Sequence, residues 1–249
     1  MLKLERHQKI LDLLNAEQKV IASDLSQRFN VSEDTIRRDL KDLDSQGLLK
    51  RVHSGALRVG PPITNFNYRE NVASEQKTAL AHKALPFLKE ESVIIIDGST
   101  TNLALAKEFP QDFRATIITN SPPIAIALAQ HPNLEIINIG GTFYKQSMIN
   151  IGVQAYKQLQ NIRADLYIMG IYNIDLDVGT SVPTMQESDI KREMIRISTE
   201  VLGMITNDKF GTISNHIVGP IDDLTYLISE EIPEKVRKEY NKQKIVLID

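Results

Sequence analysis

One stretch decides how the amino-terminal part of this 249-residue chain folds: residues 31–43, VSEDTIRRDLKDL. Ile36, Leu40 and Leu43 recur at a spacing that puts them on one side of a helix, so that side packs inward. Ser32 precedes the run as an N-cap, and acidic residues follow in the first turn, where the helix dipole favours negative charge. Arginines and a lysine occupy the opposite side. This arrangement is typical of a recognition helix in the DNA major groove.

A purely surface role for these cations is the alternative interpretation. Arg38 stands four residues from both Asp34 and Asp42, and such pairs commonly decorate a solvated helix face. The preceding sequence favours DNA binding instead. It predicts one helix from the apolar spacing of Leu4, Ile10, Leu11 and Leu14, then a short helix capped by Ser23 and a turn at Asn30. Helix, short helix, turn and basic helix follow one another as in a helix-turn-helix.

The residues after the recognition helix predict a small β-hairpin. Gly47 ends the helix, and residues 48–52 and 56–59 form two short strands around a turn at residues 53–55. This hairpin is a wing whose cations, Lys50, Arg51, His53 and Arg58, reach phosphates. We therefore predict DNA contacts from the recognition helix and the wing, with Arg38 as the candidate for a base edge, through Ser32, Thr35, Arg37, Arg38, Lys41, Arg51 and His53.

Composition excludes several classes of site and segment. The chain has no cysteine, and its five histidines are scattered without metal-binding spacing, so we expect no disulfide, no metal site and no cofactor. Apolar runs such as residues 93–96 are strand-sized, which predicts no membrane span. The first residues alternate between charged and apolar types, so we expect no signal peptide and a cytoplasmic protein.

Charge divides unevenly along the chain. Residues 1–60 hold 11 Lys and Arg against 9 Asp and Glu, a net charge of +2, and the remaining residues hold 18 against 23, a net charge of −5. A single head with so small a positive charge binds DNA weakly at physiological salt. Joined heads bind far more tightly. We therefore expect a homodimer or homotetramer whose interface lies in the larger part of the chain.

Two domains are predicted, residues 1–59 and 75–249, with residues 60–74 as a linker that starts extended at Gly60-Pro61-Pro62. Helices are predicted at residues 75–88, 101–109, 122–130, 153–161, 185–200 and 234–241. Strands are predicted at residues 92–96, 115–119, 134–139, 165–169, 201–206, 224–228 and 245–248. Alternating strands and helices with apolar strands predict an α/β fold, a mostly parallel sheet covered on both faces.

Small polar residues and glycines follow four of these strands, where ligands of parallel sheets bind. Each group taken alone is an ordinary turn or cap, but their common position predicts one anion-binding site, to which Lys209 adds a positive charge. The candidate residues are Asp97, Gly98, Ser99, Thr100, Thr101, Thr119, Asn120, Ser121, Gly140, Gly141 and Lys209.

Both parts of the chain resemble one family. The run NVSEDTIRRDL at residues 30–40 and RVHSGA at residues 51–56 resemble the winged helix-turn-helix of the DeoR family of bacterial transcriptional regulators. Ser54 departs from the family, which usually has glycine there. A positive φ at that position would alter the wing tip.

The same resemblance extends over the rest of the chain. Residues 96–101, 119–121, 140–141 and 208–211, with Gly170, Asp175, Gly179 and the run from Glu187 to Ile195, look like the DeoR-type sensor domain. That domain is related in fold to ribose-5-phosphate isomerase and glucosamine-6-phosphate deaminase. The resemblance implies that a phosphorylated sugar or similar metabolite binds, Glu187 included among its contacts, and changes operator affinity. Residues 171–173 and 207–209 depart from the family pattern, which reshapes the pocket.

Two functions compete. The first is a sequence-specific DNA-binding transcriptional regulator, a repressor of a carbohydrate catabolic operon. The alternative is a sugar-phosphate isomerase or deaminase, which needs a base and an acid or cation for an enediolate; Glu187, Asp97 and Lys209 are the candidates. Glu187 lies among charged helix residues that a solvated face explains equally well, and an enzyme has no use for a winged head. We therefore predict a regulator rather than an enzyme.

Overall fold

The structure is a computed structural model that describes residues 1–17, 19–59, 65–230, 232, 234–240 and 243–249. Its helices are α1 Lys3–Glu17, α2 Ala22–Phe29, α3 Glu33–Ser45, α4 Phe66–Asn71, α5 Ser74–Ala84, α6 Thr100–Lys107, α7 Pro122–Leu128, α8 Val153–Leu159, α9 Met185–Arg196 and α10 Glu234–Tyr240. Its strands are β1 Lys19–Ile21, β2 Lys50–Val52, β3 Gly55–Val59, β4 Val93–Ile96, β5 Ala115–Thr119, β6 Leu134–Asn138, β7 Thr142–Tyr144, β8 Ile149–Ile151, β9 Ala164–Gly170, β10 Asn173–Asp175, β11 Gly179–Val182, β12 Ser198–Met204, β13 Thr212–Ile213, β14 His216–Gly219, β15 Tyr226–Ile228 and β16 Val246–Ile248.

The head, α1–α3 and β1–β3, confirms the predicted winged helix-turn-helix. The Ser32 hydroxyl caps α3 by accepting the N–H of Thr35 at 3.2 Å. Asn30 makes the turn before it with a left-handed backbone, φ 50°. Gly47 ends the helix with φ +71°, a conformation that favours glycine. The predicted apolar sides of the three helices meet in a common core of Ile10, Leu14, Leu25, Ile36, Leu40 and Leu43.

Two details of the head differ from the prediction. Ser23 does not cap α2, which begins at Ala22, and its hydroxyl instead bonds the Asp24 carboxylate. No strand was predicted at residues 19–21, which form β1 and pair antiparallel with β3. Strand pairing over a distance of more than 30 residues leaves no local signal in so short a segment. Ser54 is not among the residues with a positive φ, so serine fits the wing tip without backbone strain.

The body confirms the parallel sheet. Seven strands lie in the order β16-β15-β12-β9-β4-β5-β6, and every neighbouring pair is parallel. Successive residues of β4 point to opposite faces: Ile95 joins the core beneath α8 and α9, whereas Ile94 and Ile96 join the core beneath α5, α6 and α7. Helices therefore cover both faces, and every strand carboxyl end opens toward one edge of the sheet.

The predicted linker contains a helix. Asn65 caps α4 by accepting the N–H of Tyr68 at 2.8 Å, and Phe66 is buried in the same core as Leu80 and Leu103. Residues 60–64, where the extended start was predicted, lie outside the described residues. From residue 65 onward the chain packs as part of the body, because the Phe66 side chain is buried against α6.

Further differences in the body arise from pairing partners that are remote in sequence. The helix predicted to residue 200 ends at Arg196, because Ser198 and Glu200 pair with β9 in the central sheet. Small antiparallel elements were not predicted: the hairpin β7–β8, and the sheet of β10, β11 and β14. The short β13 was also missed. It pairs with β3 of the head, so the body completes the head's sheet.

Candidate functional site

A cavity of about 480 Å³ opens at the carboxyl ends of β4, β9 and β12. Six of the predicted effector-binding residues line it: Gly98, Ser99, Thr100, Thr101, Glu187 and Lys209. The other six, Asp97, Thr119, Asn120, Ser121, Gly140 and Gly141, do not line it. The structure thus brings together the ends of three strands, and gives the remaining candidate residues other contacts.

The loop after β4 turns into the amino terminus of α6 at the cavity wall. Ser99 caps this helix, its hydroxyl accepting the N–H of Asn102 at 2.9 Å. The first N–H groups of a helix have no partner within it, so this wall favours an anion. Gly170 of β9 is needed for this close approach, because a Cβ there would lie 2.3 Å from the Cβ of Ser99.

Three cationic side chains line the same cavity. Lys209 donates from Nζ to the Ile171 carbonyl at 3.0 Å, and burial lowers the pKa of its ammonium to about 8. Lys77 donates to the carbonyls of Arg69 and Val72, and its pKa is lowered first by burial and then by the charge of Arg69. A bound anion stabilises a buried ammonium group, because the attraction between the two charges offsets the hydration that the ammonium has lost.

Arg69 reaches the cavity from α4. Its guanidinium lies over the Tyr172 ring, 5.6 Å from the ring centroid, and donates to the carbonyl of Gln146 at 3.3 Å. Its buried Nε has no partner among the side chains that the structure describes. A planar guanidinium held on a ring is suited to a phosphate or carboxylate.

Glu187 also lines the cavity, from the start of α9. It is buried, and burial raises its pKa, an effect that the charges of Lys191 and Arg69 and a hydrogen bond from Ser147 partly oppose. The solvated alternative for Glu187 is therefore wrong. A carboxylate can accept hydrogen bonds from hydroxyl groups. The cavity thus contains both cationic groups and a carboxyl group.

Asp97 does not line the cavity, and its carboxylate instead binds neighbouring side chains and backbone. Its carboxylate accepts hydrogen bonds from Tyr167 at 2.5 Å, from the N–H of Gly170 at 2.7 Å and from Asn102 at 2.9 Å, and it pairs with Lys191. This contact set raises the pKa of Tyr167 well above its ordinary value, first through burial and then through the Asp97 charge. With all its partners buried, Asp97 has no free face for proton abstraction, which removes one of the three groups that the enzyme alternative needs.

The residues after β5 and β6 anchor the β7–β8 hairpin. Asn120 donates to the Asn150 carbonyl at 3.1 Å, and Ser121 donates to the Met148 carbonyl at 3.3 Å. The N–H of Gly140 bonds the Gln158 side chain at 3.2 Å, and Gly141 packs against the Ile151 carbonyl. Thr119 accepts the N–H of Ser121. These five residues support the cavity indirectly, since the hairpin carries Ser147 to Glu187.

Sequence reasoning missed Arg69 and Lys77 as cavity residues, whereas Tyr172 belongs to the run at residues 171–173 that was expected to reshape the pocket. Arg69 lay in the supposed linker, and Lys77 lay on a helix with no pattern to single it out. One local signal was present: Asn65, a good N-cap residue, directly precedes the aromatic Phe66. That Arg69 and Lys77 line the same cavity as Lys209, more than 130 residues away, is a property of the folded chain alone.

The predicted DNA-binding residues of the head lie on one exposed side. Ser32, Arg37, Arg38 and Lys41 of the α3 segment are exposed and Thr35 is half-buried, and the wing residues Arg51 and His53 are exposed. Arg38 pairs with Asp34 at 2.6 Å, and Arg37 pairs with Glu33 at 3.3 Å. Both pairs lie in solvent, where such contacts are weak, so phosphates or bases can displace the acidic partners.

Arg58 differs from the other wing cations. Its guanidinium faces the body and donates to the carbonyl of Asp208, beside the cavity. The prediction that it reaches phosphates is therefore wrong for this arrangement, because β13 pairs with β3 at this residue.

A buried charge network under the recognition helix was not predicted. Asp39 accepts two hydrogen bonds from Arg6, at 2.5 and 3.0 Å, and contacts His7 Nε2 at 3.1 Å. The bond with Asp39 raises the pKa of Arg6. Since Asp39 belongs to α3 and its partners belong to α1, the network fixes the angle between these helices.

Within the described ranges, no three His, Asp or Glu side chains are grouped so that they could hold a metal ion. In the same ranges, no helix is both long and apolar enough to cross a membrane.

Comparisons with known proteins agree for both parts of the chain. Residues 6–60 match the family model of the DeoR-like helix-turn-helix domain, and residues 72–231 match that of the DeoR C terminal sensor domain. The HTH-type transcriptional regulator GolR of Listeria innocua is 33% identical, over 92% of this chain and 91% of that protein. The L-fucose operon activator of Escherichia coli is 30% identical, over 92% of this chain and 96% of that protein.

Among solved structures, ribose 5-phosphate isomerase A of Neisseria gonorrhoeae is similar to part of the chain, with a TM-score of 0.40, 15% identity, and coverage of 57% of this chain and 55% of that one. The curated relatives named above are transcriptional regulators, which favours regulation over the enzyme alternative. With a recognition helix exposed on its head and sensor-domain sequence over most of its body, the chain belongs to the DeoR family of DNA-binding transcriptional regulators.

Proposed function

We propose that the protein represses a carbohydrate catabolic operon, and that a phosphorylated sugar or similar metabolite in the cavity lowers its affinity for the operator. One observation carries this proposal: Arg69, Lys77 and Lys209 line the same cavity as the amino terminus of α6. A dianionic phosphate suits that wall because helix N–H groups and lysines both bind phosphate. The cavity volume, about 480 Å³, is in the range of small-molecule sites.

Other residues of the cavity favour a polyhydroxylated ligand. Glu187 and the hydroxyls of Thr100 and Thr101 also line it, and they offer acceptors and donors for sugar hydroxyls. Simple inorganic phosphate satisfies only the cationic groups. We therefore expect a sugar phosphate to bind more tightly than phosphate alone.

The DNA-binding part of the proposal assigns α3 to the major groove and the exposed wing residues Arg51 and His53 to phosphates. We propose a homodimer or homotetramer, since one head of net charge +2 neutralises few phosphates. Two heads held by the bodies read two half-sites, and ligand binding favours an arrangement of heads that does not fit them.

A gel shift on the DNA upstream of the protein's own gene tests the proposal. The panel added to it contains ribose 5-phosphate, glucose 6-phosphate, fructose 6-phosphate, fructose 1-phosphate and inorganic phosphate. We expect retarded DNA without additives and release by one of the sugar phosphates. Lys209→Met should keep operator binding and lose release, because the charge in the cavity is removed.

Lys157→Met is the matched control, since Lys157 is exposed on α8 and does not line the cavity. Its response should equal that of the wild type. Release of DNA from Lys209→Met at the wild-type ligand concentration would reject this cavity as the effector site. Failure of the wild type to bind any duplex at low salt would reject the proposal as a whole.

A further inference from the structure

We propose that residues 207–213 transmit ligand occupancy from the cavity to the DNA-binding head, with Arg58 as the positioning residue on the head's side. The inference rests on the proposed function and specifies how its cavity is coupled to DNA. One short segment lines the cavity at its beginning and completes the head's β-sheet at its end.

The cavity end of the segment is the turn Asn207–Lys209. Its three residues line the cavity, and Lys209 holds the Ile171 carbonyl at 3.0 Å. The Lys209 ammonium has three N–H donors, so an anion in the cavity can bind to it while the bond to this carbonyl remains. Since all three residues of the turn line the cavity, a bound ligand contacts this turn directly.

The head end of the segment is β13. Thr212 pairs with Arg58 and Ile213 pairs with Val59, in parallel register. The Arg58 guanidinium also donates to the backbone carbonyl of Asp208, within the turn that lines the cavity. A displacement of the turn thus changes a contact of the wing directly.

Within the segment, the turn and β13 are linked to each other. The Thr212 side chain is fully buried and donates to the Lys209 carbonyl at 2.7 Å, while Asn173 donates to the Thr212 hydroxyl at 2.6 Å. Phe210 between them is also fully buried. The turn and the strand are therefore linked by their own hydrogen bonds.

The contact between head and body is small enough to be reversible. Two residue pairs join β3 to β13. An ion pair between Lys19 and Asp177 also crosses the boundary, and it is partly exposed to solvent and therefore weak. Arg58 Nε is buried without a partner in the part of the chain that the structure describes. An unpaired buried donor lowers stability. The docked arrangement is therefore less stable, relative to an undocked one, than it would be with this donor paired.

The first test compares Arg58→Ala with Arg51→Ala. Each variant removes one arginine side chain from the wing. Operator affinity is measured with and without the panel compound that releases the wild type, and the ratio of the two affinities is the coupling factor. A coupling factor of about 5–150-fold is typical of allosteric proteins. We expect Arg58→Ala to bring it close to 1, whereas Arg51→Ala weakens DNA binding in both conditions and keeps the wild-type factor.

Arg58→Ala with the full wild-type coupling factor would overturn the inference while leaving the proposed function intact. If no panel compound changes the operator affinity of the wild type, the proposed function fails and the inference fails with it. Binding of the compound to the DNA-free Arg58→Ala variant, measured by calorimetry, separates lost coupling from a lost cavity.

A second test locks the contact. The chain has no cysteine, so the Val59→Cys/Ile213→Cys double variant places a single cysteine pair across β3 and β13. The oxidised protein should bind the operator equally with and without the compound, and reduction should restore the wild-type coupling factor. A pair that does not oxidise in the DNA-free protein, or an oxidised protein that still responds, contradicts the proposed route.

Discussion

At the scale of single residues, Arg38 is our candidate for sequence recognition. It lies exposed on α3 and pairs with Asp34, and an arginine in the major groove reads guanine by a bidentate contact. We expect Arg38→Ala to reduce the preference for operator over random duplex by about 1–3 kcal/mol, and Arg51→Ala to weaken binding to both duplexes alike. Competitive titrations of both duplexes measure this. Equal losses on the two duplexes for Arg38→Ala would remove its assigned role.

Lys209 predicts a pH dependence of ligand binding. Its pKa of about 8 lies below the ordinary value because burial disfavours the ammonium, so the charge is present at pH 7 and lost as the pH rises through 8. The phosphate group is already dianionic above pH 7. Ligand affinity should therefore fall about tenfold between pH 7 and pH 9. Calorimetry across this range measures the fall, and Lys209→Arg, whose charge does not titrate there, should flatten it.

At the scale of elements, the orientation of the recognition helix depends on the buried contact between α1 and α3. Asp39 and Arg6 are both nearly inaccessible to solvent, and removal of one partner of a buried pair typically costs about 3–5 kcal/mol. Asp39→Ala should therefore unfold the head or misplace α3, so that DNA binding is lost.

Urea unfolding and limited proteolysis of the full chain measure the effect of Asp39→Ala. Asp42→Ala is the matched control: it lies on the same helix, but its partner Lys3 is exposed, so both readouts should change little. An Asp39→Ala head as resistant to protease as the wild type would show that the pair is not required.

At the scale of the whole molecule, the small charge of each head motivates the proposal that two heads act together. The chain is acidic overall, with a net charge of −3, so little of its charge favours DNA. We expect scrambling one half-site of the operator to reduce affinity by about 10²-fold or more, as for joined binding modules. Titration of intact and half-scrambled operators tests this, together with the mass of the protein in solution. Equal affinity for both would mean that one head is sufficient.

The local sequence was enough to define the elements of the head. The N-cap at Ser32, the turn at Asn30 and the apolar spacing of α3 involve residues at most a few positions apart, and the structure confirms all three. Near-continuous apolar strands such as β4 likewise predicted a parallel sheet. By contrast, the cap at Ser23 and the end of α9 were wrong, because a polar residue near a helix end is compatible with several partners.

What the sequence by itself determined is therefore the type of each long element, the α/β class and the presence of a basic recognition helix, since these follow from periodicity and from contacts between near neighbours. The tertiary structure alone decided which strand ends share a cavity, that Asp97 bonds Gly170 instead of lining the cavity, and that Arg58 faces the body. Those features join residues tens to more than a hundred positions apart. Only the folded chain sets the distances between such side chains, because their burial and their ion pairs depend on how strands remote in sequence pair in one sheet.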